Sequence, residues 1–227
     1  MNNFFLAMLT GHLIADFWLQ PTSWVTCKQQ NGWKSKKLIL HALIAAVTPV
    51  IFTLKPEFWW FIPVIFISHY LIDVVKSKIK MTIIYFLIDQ LLHISVLALL
   101  VLFFKKTELN SQLSAFWIYT CGLILVTNPL GILTGMFLKS ATQTEILPAK
   151  TDVSAWIGIL ERILIVIFVT MDQFEAIGFL VAAKSVFRFN ETKKDGNKKA
   201  EYFLLGTLVS FTLAIGIGLG IGFLIKG

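Results

Sequence analysis

The sequence predicts an all-α bundle of about eight membrane-spanning helices, forming one integral domain over residues 1–227 with both termini outside. Three observations predict it. Hydrophobic residues make up 56% of the chain and charged residues 15%, with a mean hydropathy of +0.76; a soluble domain is about half apolar and a quarter charged. The chain carries 20 Phe and 7 Trp, residue types that gather in and at the edges of bilayers. Its lysines and arginines fall in alternate connections between apolar runs, so the net charge of +7 reports topology and no nucleic-acid partner is called for. Cys27 and Cys121 form no metal or disulfide framework. The first apolar run follows an uncharged start and precedes no small-residue cleavage site, so it is expected to be retained.

A span needs about 20 largely apolar residues. The candidates, in order, are Phe4–Gln20, Leu38–Leu54, Phe58–Val75, Thr82–Phe104, Leu113–Leu133, Ala155–Met171, Phe174–Phe189 and Tyr202–Ile225. The first, sixth and seventh are short for a crossing. They form two four-span halves, 1–104 and 113–227, without an evident repeat. Lys28, Lys34, Lys36 and Lys37 follow the first span; Lys76, Lys78 and Lys80 follow the third. Lys184, Arg188, Lys193, Lys194, Lys198 and Lys199 follow the seventh. By the positive-inside tendency these connections face the cytoplasm. The opposite connections are poor in basic residues, with Lys55 alone, Lys105 and Lys106 together, and the acidic Asp172 with Glu175. Asn190–Ala200 is the one strongly polar stretch and reads as a solvated loop that an anionic lipid could attract.

The four histidines all lie in the first four spans, each of three with a carboxylate on its own helix face. His12 and Asp16 share the first span, His69, Asp73 and Lys76 the third, and Asp89, Gln90 and His93 the fourth; His41 opens the second. Positions i and i+4 lie on one face. At 1.5 Å per residue all of these sit roughly 5–20 Å from the cytoplasmic end of their helices, which puts them in one layer. Ionisable groups at that depth are costly unless they pair, meet water or hold an ion. The set therefore reads as a divalent-metal centre with His12, Asp16, His69, Asp73, Asp89 and His93 as ligands. Sulfur-free ligation suits Zn, Mn, Fe or Ni. Asp16 and Asp89 double as candidate general bases, His41 as ligand or acid, and Lys76 as the group that steadies an anionic substrate. Gln20, Gln90, Tyr85 and His41 are expected to support the ligands. Taken singly, each residue reads rather as an interhelical hydrogen-bonding or ion-pairing group.

Glu161, Arg162, Lys184 and Arg188 make a second polar set in the other half. Ion pairing of Glu161 with Lys184 or Arg188 is one reading; an anion clamp for substrate is the other, since the guanidinium fork fits phosphate and carboxylate. Gly216, Gly218, Gly220 and Gly222 lie in an apolar run and read as close helix packing. So does Gly131 with Gly135, after a break expected at Asn128-Pro129.

Gly11-His12-x3-Asp16-x3-Gln20, His41, His69-x3-Asp73-x2-Lys76 and Asp89-Gln90-x2-His93 resemble the family of bacterial integral membrane proteins known as domain of unknown function 3307. The likeness continues through Gly158-x2-Glu161-Arg162, Lys184-Ser185-x2-Arg188-Phe189 and Glu201-Tyr202-x3-Gly206-Thr207. That resemblance implies a bacterial inner membrane and carries no activity. A looser one, to bacterial membrane-bound metal-dependent hydrolases, is by analogy only. Two functions stay open: a metal-dependent hydrolase of a phosphoester or lipid-linked substrate at the cytoplasmic leaflet, and a transporter or channel for a metal ion or small solute. A structural or regulatory membrane partner is the third reading, and it leaves the clustered carboxylates unexplained.

Overall fold

A computed structural model describes residues 2–104, 113–142, 152–192 and 197–226. Lys105, Lys106, Lys193 and Lys194 lie outside the described residues, as do the side chains of Arg188, Lys198 and Lys199. Ten α-helices and no strand occur among the described residues: α1 (Asn3–Phe17), α2 (Thr22–Asn31), α3 (Lys36–Phe52), α4 (Phe61–Lys76), α5 (Ile83–Phe103), α6 (Ser114–Val126), α7 (Asn128–Thr142), α8 (Asp152–Thr170), α9 (Phe174–Thr192) and α10 (Asn197–Lys226). Every apolar segment is helical, and two helices are additional. One is α2, within the basic connection. The other is α7, because the fifth segment divides at Thr127 and runs on to Thr142.

Among the described residues four stretches are long and apolar enough to cross a membrane: Ile83–Phe103, Ser114–Ala141, Val153–Thr170 and Glu201–Lys226. A fifth is added if Thr22–Lys34 and Lys36–Phe52, which meet at a bend of 107°, count as one broken span. Length and apolarity thus support four to five spans among the described residues and not the eight expected from the sequence. The first segment is short, as its sequence implies, but the second and third are short as well; α1, α3 and α4 have 15, 17 and 16 residues. Their rise of about 22–26 Å falls below a hydrocarbon core of about 30 Å. The sixth segment extends to 19 residues and passes.

The helices belong to two compact units, Met1–Ile124 and Leu125–Gly227. The division falls inside α6, beyond the 1–104 half read from the sequence.

In the first unit α1, α3, α4 and α5 close a ring, each packed on its neighbours in the order α1, α3, α4, α5 and back to α1. Helix α1 opens with Asn2, whose side chain accepts from the Phe4 amide at 2.9 Å. Thr82 does the same for α5 through the Tyr85 amide at 3.3 Å. Helices α1 and α3 touch backbone to backbone: a Cβ on Gly11 would stand 2.7 Å from Pro49 Cα and 2.8 Å from Thr48 O. Only glycine admits that approach.

The ring has two layers. One end is filled by Phe4, Met8, Ala46, Val50, Phe58, Phe61, Ile65, Leu97, Leu100 and Val101. The other end holds the histidines and aspartates, all buried. On the outer faces of the same helices Leu71 is 56% exposed and Leu91 63%, while His12, His41 and His69 are 1% exposed. Polar inside and apolar outside is the reverse of a water-soluble bundle, and it is compatible with a membrane protein.

In the second unit α10 packs on α7 and α8, with Gly218 letting Val169 approach so closely that an added Cβ would lie 2.9 Å away. Helix α8 ends in a Schellman motif: the Asp172 amide donates to Val169 O and the Gln173 amide to Phe168 O, with Asp172 at φ 56°.

Candidate metal centre

Each ring helix contributes from its half nearest the lysine-rich end. Helix α1 supplies His12 and Asp16, α3 His41, α4 His69 and Asp73, and α5 Asp89 and His93. The i, i+4 spacing puts each carboxylate one turn from its own imidazole: His12 Nε2–Asp16 Oδ2 is 3.9 Å, His69 Nε2–Asp73 Oδ2 3.9 Å and His93 Nε2–Asp89 Oδ1 3.6 Å. Contacts between helices are tighter. His41 Nε2 and His69 Nε2 are 3.0 Å apart. Asp16 Oδ1 lies 3.4 Å from His41 Nε2 and 3.6 Å from His69 Nε2; Asp73 Oδ2 lies 3.8 Å from His41 Nε2.

Those four atoms, His41 Nε2, His69 Nε2, Asp16 Oδ1 and Asp73 Oδ2, thus show five mutual separations between 3.0 and 3.9 Å. Four ligands about 2.0–2.2 Å from one ion stand about 3.3–3.6 Å apart. Two of the five, from Asp16 Oδ1 to His41 Nε2 and His69 Nε2, fall within that range, and three are too long for hydrogen bonds. Among the described residues three triads are close enough to hold an ion: His12, Asp16 and His69; His41, His69 and Asp73; and Asp73, Asp89 and His93. Several polar atoms in the layer are also buried without a hydrogen-bond partner: His12 Nε2, Asp16 Oδ1, His41 Nδ1, Asp89 Oδ1 and His93 Nε2. Buried polar atoms are normally satisfied, so an ion or ordered water fits the arrangement.

The rings pack as well as ligate. His69 stacks on His93 at 4.0 Å between centroids, and His12 lies 5.3 Å from His93. All six residues read from the sequence as ligands therefore share one layer with His41. Gln90 Nε2 donates to Asp89 Oδ2 at 3.1 Å and to Asp16 Oδ2 at 3.4 Å, tying α1 to α5. Gln20 Nε2 is buried without a partner, and Tyr85 is exposed, so these two do not support the ligands as the sequence suggested.

Two lysines close the layer. Lys76 Nζ lies 2.6 Å from Asp89 Oδ2 and 3.9 Å from Asp73 Oδ1. Lys28 reaches in from α2 to Asp73 Oδ2 at 2.5 Å. It is the one buried residue of a helix otherwise at the surface. The sequence placed Lys28 among the topology lysines; only the right-angled turn between α2 and α3 aims it inward, and no spacing signals that turn. With neutral imidazoles, three carboxylates and two ammonium groups leave the layer one negative charge.

The second polar set lies in the other unit and has its own partners. Lys184 Nζ donates to Glu161 Oε2, the ion-pair arrangement. Arg162 Nε donates to Val126 O, and its Nη2 donates to Thr127 O at 2.9 Å. The guanidinium thus caps the end of α6 where the chain breaks before Pro129, sharing Thr127 O with the Gly131 amide. Gly131 and Gly158 flank it, each with an added Cβ only 3.3 Å from a guanidinium nitrogen.

No curated protein and no solved structure matches the chain. A family model matches residues 4–120, so the motifs from Gly158 onward lie beyond the match, whereas every histidine and aspartate of the layer lies within it. The chain belongs to the family described as Protein of unknown function (DUF3307).

Proposed function

We propose that this is a bacterial inner-membrane protein of eight crossings, both termini outside, whose first unit holds a divalent metal and hydrolyses a phosphoester or lipid-linked substrate at the cytoplasmic leaflet. The observation that carries the reading is the buried layer of imidazoles and carboxylates, three triads of which lie close enough to share an ion, with Asp16 Oδ1 among its atoms without a hydrogen-bond partner. The lysine-rich end of the ring supports the orientation. The ligands that fit best are His41, His69, Asp16 and Asp73, with Zn, Mn, Fe or Ni suited to such donors. Such an ion polarises a phosphoryl oxygen and lowers the pKa of a water to about 7. Asp89, unpartnered at Oδ1 beside His93, accepts a proton from the attacking water. Lys76, partly exposed at the edge, holds the phosphate of the substrate.

Transport is the weaker alternative, because the far layer from Phe4 to Val101 is packed with buried hydrocarbon and continues no polar path. Elemental analysis of detergent-purified protein tests the centre: wild type should carry stoichiometric metal, and His41→Ala or His69→Ala should lose it while staying folded. Metal-free, folded wild type would sink the proposal. Proteoliposomes then separate the functions, since flux without cleavage of phosphoesters favours the transporter.

A further inference from the structure

The stretch from Phe17 to Lys37 contains three tryptophans, four lysines and no acidic residue. The fold gives this composition a shape. Helix α2 and the turn Gly32–Lys34 lie at 107° to α3, so they run across the end of the ring rather than along it. Trp18 and Trp33 are exposed, Trp33 by 59%. Lys34 Nζ sits 5.4 Å from the Trp33 ring, and Lys37 Nζ 5.1 Å from the Trp24 ring. Tyr70 of α4 donates to Trp33 O at 3.0 Å, and Gly32 faces Ser77, whose hydroxyl would lie 4.0 Å from an added Cβ. These ties bring the turn after α4, with exposed Lys78 and Lys80, beside exposed Lys34, Lys36 and Lys37. No acidic side chain occurs in the sequence between Asp73 and Asp89 either.

We infer that this face, made of α2, the 32–34 turn and the 77–80 turn, is a binding surface for the headgroups of an anionic phospholipid. Exposed ammonium groups attract the phosphates of an anionic leaflet, and amphipathic indole rings settle at the headgroup level. A soluble polyanion would use the lysines but leave the tryptophans unexplained. The surface also borders the metal layer, because Lys28 extends from α2 to Asp73. The inference shares only the membrane setting with the proposed function, so loss of metal or of hydrolysis leaves it intact.

The test uses the full chain in nanodiscs of mixed phosphatidylcholine and phosphatidylglycerol. One lipid at a time carries bromine in the upper acyl chain, and the readout is quenching of tryptophan fluorescence. Subtracting the Trp24→Phe/Trp33→Phe variant isolates the two rings. Brominated phosphatidylglycerol should quench them more strongly than brominated phosphatidylcholine at equal mole fraction. Replacing the exposed lysines of the face (Lys34→Gln, Lys36→Gln, Lys37→Gln, Lys78→Gln, Lys80→Gln) should erase that preference, each lysine contributing up to about fivefold. Equal quenching by both lipids, no quenching by either, or a preference that survives the lysine replacements would overturn the inference. Running the same discs with His41→Ala separates this outcome from failure of the metal reading, since that variant should retain the lipid preference.

Discussion

At Asp73 a carboxylate oxygen faces two imidazoles and an ammonium at once. Oδ2 is 2.5 Å from Lys28 Nζ and 3.8–3.9 Å from the Nε2 atoms of His41 and His69. The sign of a substitution at Lys28 follows. Removing the ammonium deepens the negative charge of a buried layer, and unit charges a few ångströms apart still interact by several kcal/mol at an effective dielectric of 20. Lys28→Met should therefore tighten metal binding, by about tenfold or more, whereas His69→Ala should abolish it; competition with a chelating dye measures both. Weaker binding in Lys28→Met would mean that the lysine orients Asp73 rather than opposes the ion. Arg162 belongs at the same scale. Arg162→Met withdraws a donor from Val126 O and from Thr127 O, the second of which keeps the Gly131 amide; the loss of about 1–3 kcal/mol should lower the melting temperature in detergent without altering metal content. Reading Arg162 as an anion clamp predicts unchanged stability instead.

Between helices the decisive contact is Gly11 against Thr48 and Pro49. An alanine methyl there meets backbone, which cannot rotate away, so α1 and α3 must separate. Overpacking of this kind costs about 1–3 kcal/mol. It also displaces His12 from the layer, since the imidazole is on the next residue. Gly11→Ala should reduce thermal stability and metal content together, measurable on one purified sample. The ring helices were legible in the sequence because each is an apolar run, three of them with ionisable residues at i and i+4, the period of one helical face. The layer was legible for the same reason: equal depth in antiparallel helices makes the residues level. The turn of α2 was not. Its helix is polar and short, and the direction of Lys28 depends on tertiary contacts at Trp33 and Gly32 that leave no periodic trace. Arg162 was misleading in the opposite way, because a guanidinium beside a carboxylate reads as anion binding until its partners prove to be carbonyls at a helix break.

For the molecule entire, the proposed orientation predicts which surface reagents reach. Cysteine introduced at Lys36 or Lys78 should react with an impermeant maleimide only in inverted vesicles or permeabilised cells, and one introduced at Asn2 only from outside. The opposite pattern would reverse the proposed topology. The brevity of α1, α3 and α4, at 15, 17 and 16 residues, has a consequence of its own. Helices shorter than the surrounding hydrocarbon draw the bilayer inward or favour a thinner one. Around the ring the leaflet would dimple, so a lipid phosphate could arrive level with Asp73 and Asp89 while its tails stay among other tails. The protein would then act as its own gauge of acyl-chain length. Hydrolysis in vesicles of matched headgroup should be fastest with short-chain lipids and fall as the chains lengthen, and a rate indifferent to membrane thickness would remove this role for the short helices.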